Sequence, residues 1–334
     1  MTSRWFRLAA VAMVLGLTAA ACGDVSDPGT TGGGSTELPG TGETVRIAVN
    51  PWTGSAANAN VAKVLLEQEL GYTAELVEID EFAQFPALAG GDLDATLEVW
   101  PSGHAEDYAT YIEGGGGVVD GGELGVVGNI GWFVPSYVVE QTPEVATWEG
   151  LNDNVELFQT AETGDKGQML DGDPSFTSYD KEIAENLGLN YEVVVAGSEA
   201  ALLSELEQAY QNEEPILLYW YTPHWANQQY DMTEVELPAV TAECETAALE
   251  NKGDGYACDY AEDVLYKAFS GELEANAPAA FSFLSAMSYD NASQEAIAFS
   301  IDVDGMDPEA AAQKWVDENP DVWQAWVDAG LAAG

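Results

Sequence analysis

The sequence has few basic residues, with 9 Lys and Arg against 58 Asp and Glu and a formal net charge of −49 at pH 7. No basic patch can form, so nucleic acid is excluded as a partner in practice. After the first 22 residues the chain has a single arginine, Arg46, which gives little support to a guanidinium fork for a carboxylate or phosphate. The acidic field favours cations, although the acidity could simply keep the protein soluble in salt.

Histidine and cysteine are also scarce, with 2 and 3 residues. The sequence has no Gly-x-Ser-x-Gly elbow, no HExxH motif, no CxxC pair and no phosphate-binding GxxxxGK[ST] loop. We therefore predict no metal, no cofactor and no catalytic activity. The enzyme class that stays open is a glycosidase with tryptophan platforms and two carboxylates.

After the N-terminus, no stretch is long and apolar enough to span a bilayer. Residues 1–22 combine two arginines, a short apolar run and small residues before Cys22, which is typical of a signal peptide. A cysteine at this position resembles a bacterial lipoprotein signal and implies that Cys22 anchors an extracytoplasmic protein to the membrane. An ordinary secreted protein with an odd cysteine is the alternative. Residues 23–43, rich in Gly, Ser, Thr and Pro, are predicted to be a flexible tether.

The other two cysteines, Cys244 and Cys258, form an even pair in the folded body. Outside the cytoplasm such a pair favours a disulfide, and two buried thiols are the alternative. A loop of this length is expected to stabilise the fold by about 3 kcal/mol in the chain-entropy model.

Strands and helices alternate from residue 44 onward, which predicts an α/β fold with a mostly parallel sheet. A second α/β region is predicted to begin near Trp132, and the chain after about residue 234 is predicted to be helical. The predicted helices include 56–70, 82–89 and one from Glu199 to Tyr210 with Ser198 as N-cap. The predicted strands are Val45–Val49, Ala74–Ile79, Ala95–Val99, one near Val155–Leu157, Tyr191–Val195 and Pro215–Tyr219.

Four tryptophans lie at the ends of predicted strands, in VRIAVNPWTGS, DATLEVWPSGH, VGNIGWFVPSY and PILLYWYTPHW. Ligands of α/β sheets bind at strand ends, so these rings could converge into an aromatic box for a quaternary ammonium group. The alternative is that they fill two small cores. The four residues are Trp52, Trp100, Trp132 and Trp220.

His224 follows the last of these strands in the run YWYTPHW. It could donate a hydrogen bond to a ligand carboxylate, or it could be a turn histidine bonded to the backbone. The sequence leaves both interpretations open.

The signal, the tether and the two α/β regions resemble a substrate-binding protein of an ABC importer. Four segments resemble the glycine betaine/choline (OpuAC-like) family: GDLDATLEVWPSGH, GWFVPSYVVE, the run from LGLNYEVVV to LLYWYTPHW, and AAAQKWVDENPDVWQAW. The resemblance covers roughly residues 44–330. It implies a two-lobe periplasmic-binding-protein architecture with a hinge and an interlobe ligand cleft. Lobe 1 is predicted to hold residues 44–133 and 234–334, and lobe 2 residues 134–233.

The resemblance also implies a ligand site and partners. Rings from both lobes would box a trimethylammonium head, and the bound ligand would pass to the permease of an importer driven by an ATPase. The implied rings are Trp52, Trp100 and Trp220, with Tyr137 as a fourth and Trp132 as a possible one.

Choline-binding members similar to this chain have an acidic residue two positions after the first tryptophan, where this chain has Gly54. The backbone N–H groups of Gly54, Ser55 and Ala56 would then be free at a helix start, which suits a ligand carboxylate. We therefore expect glycine betaine as ligand, with choline, carnitine or proline betaine as alternatives in the same class.

Overall fold

The computed structural model describes residues 37–244, 246 and 255–334. The predicted signal peptide, Cys22 and most of the predicted tether lie outside the described residues. Within the described part, the chain forms nine strands and a set of helices that pack on both sides of them.

The strands are β1 Thr44–Val49, β2 Thr73–Glu78, β3 Ala95–Val99, β4 Val118–Pro135, β5 Gly167–Asp171, β6 Tyr191–Val195, β7 Leu218–Thr222, β8 Met232–Glu234 and β9 Asp263–Ser270. The α-helices between the strands are α1 Thr53–Leu65, α2 Glu81–Gly90, α3 Pro101–Asp107, α4 Ser136–Gln141, α5 Trp148–Asp153, α6 Asp180–Asn186 and α7 Glu199–Asn212. After β9 come α8 Leu273–Asn276, α9 Pro278–Ala286, α10 Asn291–Asp302, α11 Pro308–Glu318 and α12 Pro320–Ala333. Short π-helical segments cover Leu66–Leu70 and Tyr108–Glu113, and 3-10 turns cover Pro143–Ala146, Val155–Phe158 and Trp225–Gln228.

Two parallel groups of strands meet at a shared central strand. The order is β2-β1-β3-β9-β4-β7-β5-β6, and β8 pairs with β4 as well. The pairs β1–β2, β1–β3, β5–β6 and β5–β7 are parallel, whereas β9 and β7 run antiparallel to β4. The α/β class predicted from the sequence is confirmed, because both groups have parallel strands connected by helices.

Strand β4 joins the two groups. Residues from Val118 to Gly128 pair with β9, and residues from Asn129 to Phe133 pair with β7. The pairing with β9 shifts register twice, and Gly122 and Gly125 have φ of +81° and +93° beside these shifts. Glycine adopts such angles without a Cβ penalty, and bulges of this kind bend a strand. Gly121 and Gly122 therefore lie in a bent strand, and Gly114–Gly117 come just before it.

Local signals predicted several elements correctly. The three strands of the N-terminal region, the strand at 191–195 and α7 lie where the pattern placed them, within one or two residues at most ends. Ser198 caps α7 by accepting from Ala201 N–H, and Gly71 ends the first helical run with φ of +79°.

Three predictions were wrong. Val155–Phe158 is a 3-10 turn, and the strand of that region is β5, at Gly167–Asp171. The strand predicted to end at Tyr219 runs from Leu218 to Thr222. The region after 234 is not all helical, because it contains β9. A short apolar run such as VELF fits a buried turn as well as a strand, so the pattern alone does not decide.

The C-terminal helices cover the first sheet. Helices α10 and α11 contact α1, and α12 packs on α9. The indoles of Trp315 and Trp326 stack with ring centroids 6.3 Å apart and both contact the ring of Tyr289. Cys244 and Cys258 form a disulfide with Cα atoms 6.3 Å apart.

Candidate functional site

An aromatic pocket lies where the ends of strands from both parallel groups meet. It is a small pocket, with a cavity volume of about 30 Å³. Trp52 follows β1, Trp100 follows β3, and Phe176 and Thr177 follow β5. The lining residues are Trp52, Glu81, Trp100, Ile130, Phe176, Thr177, Tyr219 and Tyr221.

The rings around this pocket contact one another edge to face. Trp52 and Phe176 have centroids 5.8 Å apart at 75°, and Trp100 and Tyr221 have centroids 5.7 Å apart at 85°. Phe176 also contacts Tyr219 at 5.9 Å. Edge-to-face pairs fix the direction of each ring, so these contacts set the shape of the pocket walls.

Glu98 holds the two indoles from behind. Its Oε1 accepts from the Trp52 indole at 2.7 Å and from the Trp100 indole at 3.1 Å. Its Oε2 accepts from the side-chain amides of Asn58 and Gln294. The Glu98 side chain is therefore a buried hub that sets the orientation of both rings.

Burial raises the pKa of Glu98 to about 7, although the hydrogen bonds from the two indoles lower it in part. The negative charge of Glu199 nearby also raises the pKa of Glu98. In its ionised form Glu98 places a negative charge next to the indoles, which adds to the attraction of the ring faces for a cation.

Gly54 lies against this hub. A Cβ at position 54 would be 2.5 Å from Gln294 Nε2 and 3.3 Å from Glu98 Oε2. Any side chain here would push the hub out of place. Glu98, which comes from β3, is therefore the carboxylate next to position 54.

Glu81 is the carboxylate in the pocket lining. Its Oε1 accepts from Thr177 N–H at 2.6 Å and from the Thr177 hydroxyl at 3.0 Å. Its Oε2 lies 3.2 Å from His104 Nε2, and His104 Nδ1 lies 2.9 Å from Asp107. Burial opposes protonation of His104, but the hydrogen bonds with Asp107 and Glu81 raise its pKa to about 9, so its charge balances Glu81 at neutral pH.

Glu199, at the start of α7, reaches the start of α1 next to the pocket. Its Oε2 accepts from Thr53 N–H at 2.9 Å, and its Oε1 accepts from the Tyr221 hydroxyl. His224 Nε2 lies 3.6 Å from the same Oε1. Glu199 and Glu81 thus each connect residues near the first sheet with residues near the second.

The structure brings together only some of the rings named from the sequence. Trp52 and Trp100 line the pocket, whereas Trp220 and Trp132 are fully buried and do not line it. Trp132 Nε1 donates to Asp180 Oδ1 at 2.7 Å and Trp220 Nε1 donates to Asn227 Oδ1 at 2.8 Å. The Tyr137 hydroxyl donates to the backbone carbonyls of Ala209 and Glu214, and this residue also lies outside the pocket lining.

The reason for the change at Trp220 is the alternation of a strand. Successive side chains of β7 point to opposite faces, so if Trp220 points into the core, Tyr219 and Tyr221 point to the pocket. The strand begins and ends later than the sequence predicts, so Trp220 lies inside it and not after its end.

The remaining predicted site residues have partners of their own. Ser55 Oγ accepts from Asn50 N–H at 2.9 Å, and Ala56 N–H donates to the Trp52 carbonyl at 3.3 Å. His224 Nδ1 accepts from Ala226 N–H at 3.1 Å, as its turn interpretation expects, while its other nitrogen faces Glu199.

Sequence reasoning missed the residues that complete the site: Glu81, Glu98, Phe176, Tyr219, Tyr221 and Glu199. Three of them had a signal. Glu98 is an acid inside the apolar strand ATLEV, and the alternation in LYWYT separates Trp220 from its two tyrosine neighbours. Phe176, in a loop after β5, had none.

This arrangement is suited to binding a small cation. The pocket offers ring faces and one carboxylate, and a second carboxylate lies behind the indoles. Within the described residues, no group of His, Cys, Asp and Glu is arranged to hold a metal ion. In the same part of the chain, helices long and apolar enough to cross a membrane are absent.

Solved structures show which class of protein has this fold. The lactococcal OpuAC protein complexed with glycine betaine is 19% identical in sequence and superposes with a TM-score of 0.66. The match covers 85% of this chain and 99% of the OpuAC chain. An ABC-transporter choline-binding protein in complex with choline is also 19% identical, covers 87% and 96%, and gives 0.68. The fold is therefore that of the two-lobe substrate-binding proteins.

Sequence comparison then identifies the family. The OpuAC family model, described as the substrate binding domain of the ABC-type glycine betaine transport system, matches residues 43–318. The chain belongs to this family of extracytoplasmic substrate-binding components of ABC importers for ligands of the betaine and choline type.

Two sequence relatives have names that state a ligand. The trimethylamine N-oxide-binding protein of Pelagibacter ubique (strain HTCC1062) is 29% identical over 286 residues, which is 83% of this chain and 88% of that protein. The glycine betaine/carnitine transport binding protein of Listeria monocytogenes is 27% identical over 133 residues, or 39% of this chain and 38% of that protein.

Proposed function

We propose that the chain captures a small methylated ammonium compound in the aromatic pocket and delivers it to the permease of an ABC importer. The observation that carries this proposal is the pair Trp52 and Trp100, whose indoles are both held by the buried Glu98 carboxylate. Rings in this setting attract a cation without donating to it, which matches a methylated nitrogen that has no N–H.

The proposed cage consists of Trp52, Trp100, Tyr219, Tyr221 and Phe176. It keeps two of the rings inferred from the sequence and replaces Trp220 by its neighbours in β7. Tyr137 and Trp132 are not part of it. Glycine betaine, which the sequence favours, choline, carnitine, proline betaine and trimethylamine N-oxide all carry the methylated head that such a cage accepts. The glycosidase alternative needs two carboxylates beside the ligand, whereas the pocket lining has one, Glu81.

Closure of two lobes on the ligand fits the contacts across the pocket. We assign residues 44–133 and 234–334 to lobe 1 and residues 134–233 to lobe 2. In that division, Thr53 contacts Glu199, Glu81 contacts Thr177, and the Trp225 indole donates to Asp302 at 2.7 Å. Each of these contacts would break when the lobes separate, so they would stabilise the closed form together with the ligand.

We also propose that the mature protein is held at the cell membrane by a lipid on Cys22. The support is the sequence pattern of residues 1–22 and the flexible tether after it. Mass spectrometry of the protein purified from its membranes would detect a lipid on Cys22, and Cys22→Ser would release the protein into the soluble fraction.

Isothermal titration calorimetry with a panel of methylated ammonium compounds tests the binding proposal. A matched control is choline against 3,3-dimethylbutan-1-ol, which replaces the ammonium nitrogen by carbon at nearly the same shape. Choline should bind at least tenfold more tightly than this neutral analogue, because the attraction of the rings depends on charge. If no compound of the panel binds, or if the neutral analogue binds equally well, the proposed function is wrong.

A further inference from the structure

The start of helix α1 lies beside the proposed cage, because the N-cap of this helix is Trp52 itself. A helix N-terminus favours a negative charge, since its first N–H groups have no partner within the helix. In glycine betaine, one methylene separates the carboxylate from the ammonium. A betaine whose head contacts Trp52 could therefore place its carboxylate at this helix start, the position that the sequence predicts for it.

The structure has a carboxylate of its own at this place. Glu199 Oε2 accepts from the N–H of Thr53, the first residue of α1, at 2.9 Å, and lies 3.2 Å from the Thr53 hydroxyl. The side chain of Glu199 is buried, with 7% of the residue exposed. It cannot move into bulk water without opening the contact between α7 and α1.

His224, which the sequence leaves open as a donor to a ligand carboxylate or as a turn histidine, also faces Glu199. Its Nδ1 accepts from Ala226 N–H, so a neutral ring carries its proton on Nε2. That nitrogen lies 3.6 Å from Glu199 Oε1, and the residue is 4% exposed. The Tyr221 hydroxyl, on the pocket side, donates to the same Oε1.

These contacts keep Glu199 ionised. Burial alone would raise its pKa, but the nearby His224 ring and the hydrogen bonds from Tyr221 and Thr53 lower the pKa of Glu199 below its usual value. A fixed negative charge thus lies directly behind the Tyr221 wall of the pocket. Glu98 and Glu81 add two more carboxylates around the same small space.

We propose that Glu199 is a specificity-determining residue. Its carboxylate fills the position beside the cage that would otherwise accept the carboxylate of a betaine. The protein therefore selects methylated ammonium ligands without a carboxylate, of which choline and trimethylamine N-oxide are examples, over glycine betaine and carnitine. This inference rests on the proposed function and reverses the ligand preference expected from Gly54.

The physical reason is a missing partner and a like charge. A ligand carboxylate would find the Thr53 N–H already bonded to Glu199 and His224 Nε2 facing the same side chain at 3.6 Å, so it would compete with Glu199 for both donors. It would also lie close to an ionised carboxylate in a site with a low local dielectric. Choline carries no negative charge, and its hydroxyl can donate to a carboxylate, so it meets neither penalty.

Calorimetry with choline, trimethylamine N-oxide, glycine betaine and carnitine at one ionic strength tests the inference on the unmodified protein. Choline or trimethylamine N-oxide should bind at least tenfold more tightly than glycine betaine. Equal or tighter binding of glycine betaine overturns the inference and leaves the proposed function intact. The absence of binding by all four overturns the proposed function, and the inference with it.

The variant Glu199→Gln sharpens the test. It removes the charge at nearly constant shape, so the affinity ratio of glycine betaine to choline should rise about tenfold or more. Glu205→Gln is the matched control, because Glu205 lies on the same helix and is exposed. An unchanged ratio in a folded Glu199→Gln protein, checked by circular dichroism, would contradict the assignment. If that variant does not fold, the ranking on the unmodified protein still decides.

Discussion

Trp52 and Trp132 make the same hydrogen bond in two different surroundings. Trp52 Nε1 donates to Glu98 at 2.7 Å, and Trp132 Nε1 donates to Asp180, also at 2.7 Å. Both carboxylates are buried, and both tryptophans follow or lie within a strand. One ring nevertheless lines the pocket, and the other is enclosed in the core of the second sheet.

The difference lies in what else each carboxylate holds. Glu98 binds two indoles whose faces border open space, so it positions a binding surface. Asp180 binds Trp132 and the Tyr260 hydroxyl, and both are buried side chains. Burial raises the pKa of Asp180 well above its usual value, and the neighbouring Asp171 raises it further. Asp180 thus holds side chains of the core and not a binding surface. A tryptophan anchored on a buried acid is thus not by itself a ligand contact.

The largest expected effect is on the stability of the core. Trp132→Ala and Trp220→Ala remove fully buried rings and should each lower the free energy of unfolding by about 3–5 kcal/mol. Urea denaturation measures this loss. The affinity of the folded fraction for the best ligand of the panel should stay within about twofold, since neither ring lines the pocket. A large loss of affinity in Trp220→Ala would mean that Trp220 contacts the ligand and belongs to the cage.

The next effect is on binding. Trp52→Ala or Trp100→Ala should weaken binding by about 2 kcal/mol each, or roughly 30-fold, which is the scale of a desolvated cation–π contact with its buried area. Trp→Phe should cost less, because a ring face remains. Trp323→Ala is the control, since its indole donates to the Val316 carbonyl in the C-terminal helices. Calorimetry that showed a similar loss for Trp323→Ala would mean that stability, not contact with the ligand, controls the affinity.

Titration of Glu98 should have a smaller effect, which appears as a dependence of stability and affinity on pH. Its pKa of about 7 in the folded protein exceeds the ordinary 4.5, so the free protein should lose stability as pH rises through this window. Binding of a cation favours the ionised form, so the affinity for choline should rise with pH, by up to about tenfold near pH 7. Choline does not titrate there. Glu98→Gln should flatten this rise, and calorimetry from pH 5.5 to 8.5 in about unit steps would show it.

The sequence predicted the parts of the fold that local signals determine. The period-2 strand at 45–49, the Ser198 cap and Gly71 act within a few residues, and each has the structure that its chemistry favours. Strand β9 was missed because it forms by pairing with β3 and β4, which are far away in sequence. No local pattern contains that pairing.

The site could be predicted only in part for a related reason. Trp52 and Trp100 follow buried parallel strands, so their position at the strand ends is a local fact. The side of β7 that faces the pocket depends on where the strand begins, and an error of a few residues exchanged Trp220 for its tyrosine neighbours. Glu199 and Thr53 meet across the fold, and only the structure shows that contact.

The smallest expected effect is that of salt on the affinity. It distinguishes attraction by the acidic surface from attraction by the pocket. The formal charge of −49 lies mostly on exposed side chains, whose field is screened within about 10 Å at 0.1 M salt. The cage is enclosed, and its attraction comes from ring faces and the buried Glu98, which salt screens much less. Affinity for choline should therefore change by less than about threefold between roughly 0.05 and 0.5 M NaCl, measured by calorimetry. A steep decline, by about tenfold or more, would mean that the surface field holds the cation. In that case, the loss of affinity in Trp52→Ala would need a different explanation.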